Sequence, residues 1–298
     1  MIIRCVCFIV LLCINMLYVI AKDFSMKIVY YSNCQYAGIH YFLQKTLNGP
    51  VDITHLENYS FIKDKKLIPI DCLKQADIFI YQPIYKRHGI YSTDNTIENN
   101  IMSYLSPKCK TISFPYIYNS ALWCLIPPAN IDGYIGEYPD IDKYVNREPI
   151  EQLKSQGYSL DDVLRMYSNN EIDFDYENRF VNSVKILKEK ESICDVKVTD
   201  FIVKHIRTRK LFFTQNHPTT CVFVHIANQV LSILGHNHKY DEFAYPDNVI
   251  NLPGEWPTTT YDSKYWKFEY SVNTQNTWYI PHIIKIYQNY TVSQLYPV

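Results

Sequence analysis

The chain has 298 residues, of which 47% are hydrophobic, 15% aromatic and 20% charged, and its formal net charge is −1. This length allows one large domain or two modest ones, and the near-zero charge argues against a general nucleic-acid binder. The apolar and aromatic content excludes a disordered chain, and the sequence contains no glycine-rich phosphate-loop motif and no G-x-S-x-G nucleophile motif.

The first 21 residues are typical of a targeting segment. The run from Cys5 to Ala21 is almost wholly apolar, which fits a signal peptide and is also close to the length of a membrane anchor. A third interpretation places the start of translation at Met26. A retained leader predicts the secretory pathway or a membrane anchor, whereas a start at Met26 predicts a cytoplasmic protein.

After the leader, short apolar runs alternate with helical patterns. In chain order, the pattern predicts strand Lys27–Tyr31, helix Tyr36–Leu47, strands Val51–Leu56 and Asp77–Tyr81, helix Thr96–Leu105, strand Thr111–Phe114, a helix starting at a Ser159/Asp162 capping box, helices Tyr176–Lys190 and Thr199–Ile206, strand Leu211–Thr214 and helix Pro218–Leu234. Strands separated by helices indicate an α/β fold. We expect a three-layer parallel sheet of about five strands with helices on both faces, a helical insertion and an aromatic carboxyl-terminal extension. The expected domains are a leader over 1–25, an α/β catalytic domain over 26–236 and an extension over 237–298 that packs on it.

The cysteine pattern predicts no zinc site. Six cysteines follow the leader, widely spaced and without a C-x-x-C pair. We therefore expect no metal. Disulfide bonds are left open in case the chain is secreted.

Open α/β sheets bind ligands beyond the carboxyl ends of their strands, so the residues that follow each strand are the candidates for a site. Strand one is followed by Asn33, Cys34 and Gln35, just before a helix. A helix N-terminus lowers the pKa of a cysteine, and nearby N–H groups and amides are able to hold an oxyanion. A small buried core cysteine is the alternative interpretation of Cys34.

The loop after strand three combines cations, an imidazole and hydroxyls. Gln82 comes directly after the strand, and Lys86, Arg87, His88 and Ser92 follow it. Such a loop is suited to binding phosphate and to supplying a base. A solvated surface loop is the alternative interpretation.

The polar residues after strand five complete the candidate site. Asn216 and His217 separate two apolar elements, and a histidine there is suited to act as a general base. We expect His217 to share the sheet rim with Cys34, with His88 as a second candidate base. Arg147 joins Lys86 and Arg87 as a candidate for contacting an anionic ligand.

Several of these segments resemble a known family. The matching segments are Ile28–Leu43, Ala76–Pro83, Thr111–Tyr116 and Arg209–Pro218. They resemble the WcbI-like polysaccharide-biosynthesis acetyltransferases, whose α/β fold is loosely similar to that of the SGNH hydrolases. The resemblance implies binding of coenzyme A or acetyl-CoA and acetyl transfer to a sugar or nucleotide sugar. It leaves open whether Cys34 carries the acetyl group or shapes the pocket.

Two other functions stay open at the level of sequence. One is a cysteine/histidine esterase or thioesterase that uses Cys34 and His217 with water as the acceptor. The other is a non-catalytic glycan-binding protein, in which the aromatic extension supplies stacking surfaces. We expect no nucleic-acid partner, and a membrane only if the leader is retained. A homo-oligomer is left open.

Overall fold

The computed structural model describes residues 25–47, 49–127, 146–252 and 254–288. The predicted leader, apart from residue 25, and the end of the extension lie outside these residues. The chain divides into two compact units. The first unit takes the chain up to Ser113 and also Leu231–His238, and the second takes Phe114–Val230 and the chain from Lys239 onward. These boundaries differ from the predicted division at residues 236 and 237.

The first unit is built on a parallel sheet. Its strands are β1 (Met26–Ser32), β2 (Val51–Glu57), β3 (Ile78–Tyr81) and β4 (Lys110–Ser113). They run parallel in the order β2-β1-β3-β4. The first four predicted strands are therefore confirmed to within one residue at each end.

Helices cover both faces of this sheet. They are α1 (Tyr36–Thr46), α2 (Asn58–Lys63), α3 (Ile70–Lys74) and two 3₁₀ helices, Lys86–Tyr91 and Ile101–Tyr104. On one face, alternate residues such as Tyr31 and Phe79 form a buried cluster with Leu73. On the other face, the ring of Tyr30 contacts the rings of Tyr36 and His40 in α1. The predicted α/β fold with helices on both faces is confirmed.

The second unit is mostly helical. It contains α4 (Glu148–Ser155), α5 (Leu160–Ser168), α6 (Tyr176–Ser192), α7 (Thr199–His205), the hairpin strands β5 (Phe212–Thr214) and β6 (His217–Pro218), the part of α8 (Thr220–Ile233) up to Val230, α9 (Thr260–Trp266), a 3₁₀ helix at Asn276–Tyr279, and α10 (Ile280–Tyr287). The predicted capping box is confirmed at the start of α5, where Ser159 and Asp162 bond each other's backbone N–H groups.

A buried arginine organises part of this unit. The Arg179 guanidinium, on α6, donates to the carbonyl oxygens of Ser120 at 2.7 Å, Trp123 at 2.5 Å, Cys124 at 3.3 Å and Phe174 at 3.0 Å. The planar fork of an arginine suits several acceptors at once. This side chain therefore fixes the irregular segment that runs from Ser120 to Cys124.

The fifth predicted strand is real but does not join the parallel sheet. β5 pairs antiparallel with β6, with Thr214 opposite His217. Only Gln215 and Asn216 separate the paired positions, and a two-residue connection of this kind joins antiparallel strands. The expectation of about five parallel strands is therefore corrected to four within the described chain.

The predicted helix Thr96–Leu105 is largely absent. Only Ile101–Tyr104 is helical, as a 3₁₀ helix. The Asp94 carboxylate accepts from Thr96 N–H at 2.9 Å, and the Asn100 side chain accepts from Ser103 N–H at 3.0 Å. These local side-chain bonds compete with the helical backbone ladder and keep most of the segment irregular.

Within the described part of the chain, no helix is both long enough and apolar enough to cross a membrane.

Candidate active site

The carboxyl ends of β1, β2 and β3 meet at one edge of the parallel sheet. Ser32, the last residue of β1, lies opposite Glu57 of β2, and Tyr31 lies opposite Tyr81 of β3. The chain after β1 forms a turn over residues 33–35 before α1 begins. This turn therefore lies beside the ends of both neighbouring strands.

A chain of amide hydrogen bonds holds the turn. Asn33 N–H donates to Gln82 Oε1 at 3.0 Å, and Gln82 Nε2 donates to Gln35 Oε1 at 3.0 Å. The Asn33 side chain accepts from Gln35 N–H at 3.0 Å. Gln35 and Gln82 are both buried. The structure thus brings together Asn33, Gln35 and Gln82, which the sequence singled out, around Cys34.

The Cys34 thiol is half-buried at the centre of this turn. Burial raises its pKa, its own backbone N–H lowers the pKa by less, and the Glu57 carboxylate raises it further. The sequence-based expectation of a lowered pKa is therefore wrong in direction, because burial outweighs the helix N-terminus. Cys34 is a protonated thiol at neutral pH.

Sequence reasoning missed four side chains beside this turn, those of His55, Tyr36, Glu57 and Tyr59. His55 Nε2 lies 2.9 Å from the carbonyl oxygen of Ser32, and the ring of Tyr36 stacks on the imidazole with ring centroids 3.7 Å apart. The hydroxyl of Tyr59 donates to the carboxylate of Glu57. The rule used for strands one, three and five would have found Glu57 and Tyr59 if it had been applied to strand two as well.

His55 is a neutral imidazole with a fixed tautomer. A carbonyl oxygen can only accept, so Nε2 carries the proton that is shared with Ser32. Burial lowers the pKa of His55, an effect that its backbone hydrogen bonds and Glu57 partly offset. The imidazole therefore fixes the end of β1 from the side of β2.

The loop after β3 presents its two cations to solvent. Lys86 and Arg87 are exposed, and Arg87 Nε donates to His88 Nε2 at 3.3 Å. Burial, and then the charge of Arg87, lowers the pKa of His88. The Ser92 hydroxyl is buried, donates to the carbonyl of Ile84 at 2.9 Å, and accepts from a backbone N–H at 3.0 Å. Ser92 therefore stabilises the loop itself.

The remaining predicted site residues belong to the second unit. His217 lies in β6, its Nδ1 is buried without a hydrogen-bond partner, and burial lowers its pKa. Asn216 lies in the hairpin turn and accepts from the Thr214 hydroxyl at 3.3 Å. Arg147 precedes α4 and pairs with Glu151 at 3.2 Å. The grouping of His217 with Cys34 assumed that strand five belonged to the parallel sheet, so that argument no longer holds.

The groups at the sheet edge define a class of site. A half-buried thiol, a buried pair of carboxamides, an imidazole and a carboxylate surround the carboxyl ends of three parallel strands, where open α/β sheets bind their ligands. The described residues contain no group of three or more His, Cys, Asp or Glu side chains arranged to hold a metal ion. This is the edge of the sheet at which α/β enzymes hold their substrates.

The chain belongs to the WcbI family of polysaccharide biosynthesis enzymes, because the model of that family matches residues 27–239. A solved structure with a similar fold is described as WcbI, a novel polysaccharide biosynthesis enzyme, in its native form without a disulfide bond between CoA and one of its cysteines. The two chains are 17% identical, the TM-score is 0.60, and the match covers 91% of this chain and 92% of that chain. No significant match is found among curated proteins.

Proposed function

We propose that this polysaccharide biosynthesis enzyme is a CoA-dependent acetyltransferase that transfers an acetyl group to a sugar or nucleotide sugar. The observation that carries the proposal is the Cys34 turn, held by Gln82 at the carboxyl edge of the sheet. The description of the similar WcbI structure, which mentions CoA together with one of that protein's cysteines, supports it.

The residues of the first unit fit CoA in two respects. Lys86 and Arg87 are exposed cations on the loop after β3, suited to the phosphates of CoA. The half-buried thiol of Cys34 lies at the end of β1 in the same unit. When bound as its acetyl thioester, CoA would supply the group to be transferred.

The protonation state of Cys34 decides between two roles. A protonated thiol is a poor nucleophile, so the raised pKa of Cys34 favours a role in shaping the pocket and donating a hydrogen bond. It also argues against the cysteine esterase or thioesterase, which needs a thiolate. The amides around the turn and nearby N–H groups are proposed to hold the developing oxyanion.

Acetyl transfer also needs a group that takes the acceptor's proton. Burial lowers the pKa of both His88 and His217, so each is a neutral imidazole at neutral pH. The sequence offers His217 for this role, with His88 as the second candidate, and the two lie in different units, His88 in the first and His217 in the second.

Binding of CoA is tested by thermal unfolding. A ligand at 100 times its Kd adds about 2.7 kcal/mol to stability, so saturating CoA or acetyl-CoA is expected to raise the Tm of the protein. The double variant Lys86→Ala/Arg87→Ala is expected to lose much of that rise. Lys74→Ala/Lys108→Ala removes two exposed charges from the same unit and is the matched control. A wild-type Tm unchanged in millimolar CoA and acetyl-CoA contradicts the proposal.

A further inference from the structure

Glu57 ends β2 on the face of the sheet that α1 covers. Side chains alternate along a strand, and Leu56 lies in the buried cluster on the opposite face. His55, two residues before Glu57, points to the α1 side, where the ring of Tyr36 stacks on it. Because Glu57 pairs with Ser32, its side chain leaves the sheet beside the turn that carries Cys34.

The environment of Glu57 orients its carboxylate and couples it to the thiol. One carboxylate oxygen accepts from the Tyr59 hydroxyl, and Tyr59 is itself fixed by the buried Asn58, whose side chain accepts from Tyr59 N–H at 2.8 Å. Glu57 and Cys34 interact electrostatically, as do Cys34 and Tyr59. Glu57 is partly exposed, so a bound ligand can reach it.

The other titratable groups of this unit near the loops are less suited to accept a proton. The lone pair of neutral His55 is on Nδ1, because Nε2 donates to Ser32, and burial under the ring of Tyr36 disfavours the imidazolium that would form. The accepting nitrogen of His88 takes a hydrogen bond from Arg87. Glu57 makes one hydrogen bond to Tyr59 among the described residues and keeps a second carboxylate oxygen for a ligand.

We propose that Glu57, oriented by Tyr59, is the catalytic base of the Cys34 site. The assignment rests on the proposed acetyl transfer. Glu57 takes the proton of the acceptor hydroxyl or amine while the acceptor atom forms its bond to the acetyl carbon. The carbon–sulfur bond of the thioester breaks, and Glu57 returns the proton to the sulfur that leaves as CoA.

The test compares Glu57→Gln with wild type in two measurements that respond in opposite directions. Release of CoA from acetyl-CoA, with water or an added sugar as acceptor, is expected to fall about 100-fold or more, the usual range for losing a general base. Alkylation of Cys34 by iodoacetamide at pH 8, followed by peptide mass mapping, is expected to become faster. The variant removes a negative charge that disfavours the thiolate, which is the form of the thiol that reacts.

Two further variants distinguish a catalytic role of Glu57 from a purely structural one. Glu57→Asp keeps the charge but withdraws the carboxylate by one methylene, so CoA release falls while the alkylation rate stays near that of wild type. Glu98→Gln removes an exposed carboxylate of the same unit and is expected to change neither measurement.

The outcomes that overturn each idea are distinct. If wild type releases CoA and Glu57→Gln releases it at the same rate, the base assignment is wrong. If Glu57→Gln slows both CoA release and alkylation, Glu57 is a structural residue and the assignment is again wrong. If wild type neither binds CoA nor releases it from acetyl-CoA, the proposed function fails, whatever the alkylation rates show.

Discussion

Gln82 connects the end of β3 to the turn after β1 with a single side chain. Its carbonyl oxygen accepts from Asn33 and its amide nitrogen donates to Gln35, both at 3.0 Å. Gln82 is only 3% exposed. Leaving buried polar groups without partners costs about 1–3 kcal/mol. We expect Gln82→Ala to lower the free energy of unfolding by this amount and to reduce the rise in Tm with CoA.

Urea unfolding with and without CoA measures both effects of Gln82→Ala. Gln75→Ala is the control, because Gln75 is an exposed glutamine of the same unit and exposed substitutions usually change stability by no more than about 0.5 kcal/mol. Equal stability of the two variants would show that the amide chain does not hold the turn.

The sequence was informative about which residues surround Cys34 and misleading about the state of the thiol. The position of Asn33, Gln35 and Gln82 follows from the order of strands, which periodicity reveals. The pKa of Cys34 depends on how deeply the thiol is buried and on the charge of Glu57. Glu57 lies near the thiol because β2 pairs with β1. The residues around Cys34 in the sequence do not predict that pairing.

At the scale of single elements, the start of α9 carries a carboxylate in an unusual state. Thr259 and Asp262 form a capping box there, and Tyr176 also donates to the Asp262 carboxylate. Burial raises the pKa of Asp262 to about 6, although these hydrogen bonds lower it. The native state therefore holds a proton on Asp262 at a pH where the unfolded chain has lost it.

This raised pKa predicts a pH dependence of stability. Asp262 contributes stability that is fully present below about pH 4 and is lost as the pH rises through about 6, by about 3 kcal/mol at most. In urea unfolding between pH 4.5 and 7.5, the stability of wild type should fall relative to that of Asp262→Asn, which cannot ionise.

A second capping box provides the control for Asp262. Hydrogen bonds from Ser159, and then Arg165, lower the pKa of the exposed Asp162 at the start of α5. The stability of wild type relative to Asp162→Asn should therefore change in the opposite direction, decreasing as the pH falls through the lowered pKa. Parallel pH profiles for wild type and Asp262→Asn would contradict the account of α9.

The two capping boxes also show what patterns reveal about elements. The box at α5 was recognised because an amphipathic helix follows it, whereas α9 lies in an aromatic stretch with weak periodicity and was missed. The pairing of β5 with β6 is not predicted. Because β5 has only three residues, its composition does not indicate which segment of the chain pairs with it. Elements with long periodic patterns were predictable, and those defined by tertiary pairing were not.

At the scale of the whole molecule, neither structural unit is one continuous stretch of the sequence. The segment Leu231–His238 belongs to the first unit, although more than one hundred residues of the second unit precede it. The boundary drawn from composition, between residues 236 and 237, falls inside this segment. The chain returns to the first unit because of long-range packing, and the hydrophobic periodicity of the sequence does not reveal such packing.

The cysteines provide a test that spans both units. In the described chain all six are free: Cys34, Cys72 and Cys109 are partly exposed, and Cys124, Cys194 and Cys221 are buried. Burial also raises the pKa of Cys109 to about 11 and that of Cys221 to about 11. We expect iodoacetamide to label the three partly exposed thiols in the native protein and the three buried ones only when the chain opens.

Peptide mass mapping under non-reducing conditions, before and after denaturation, measures this pattern. The three buried thiols should become labelled together with loss of structure, because each needs the packing around it to open. A disulfide-linked pair among the six, or labelling of Cys124 in the folded protein as fast as that of Cys72, would contradict the packing described for the two units.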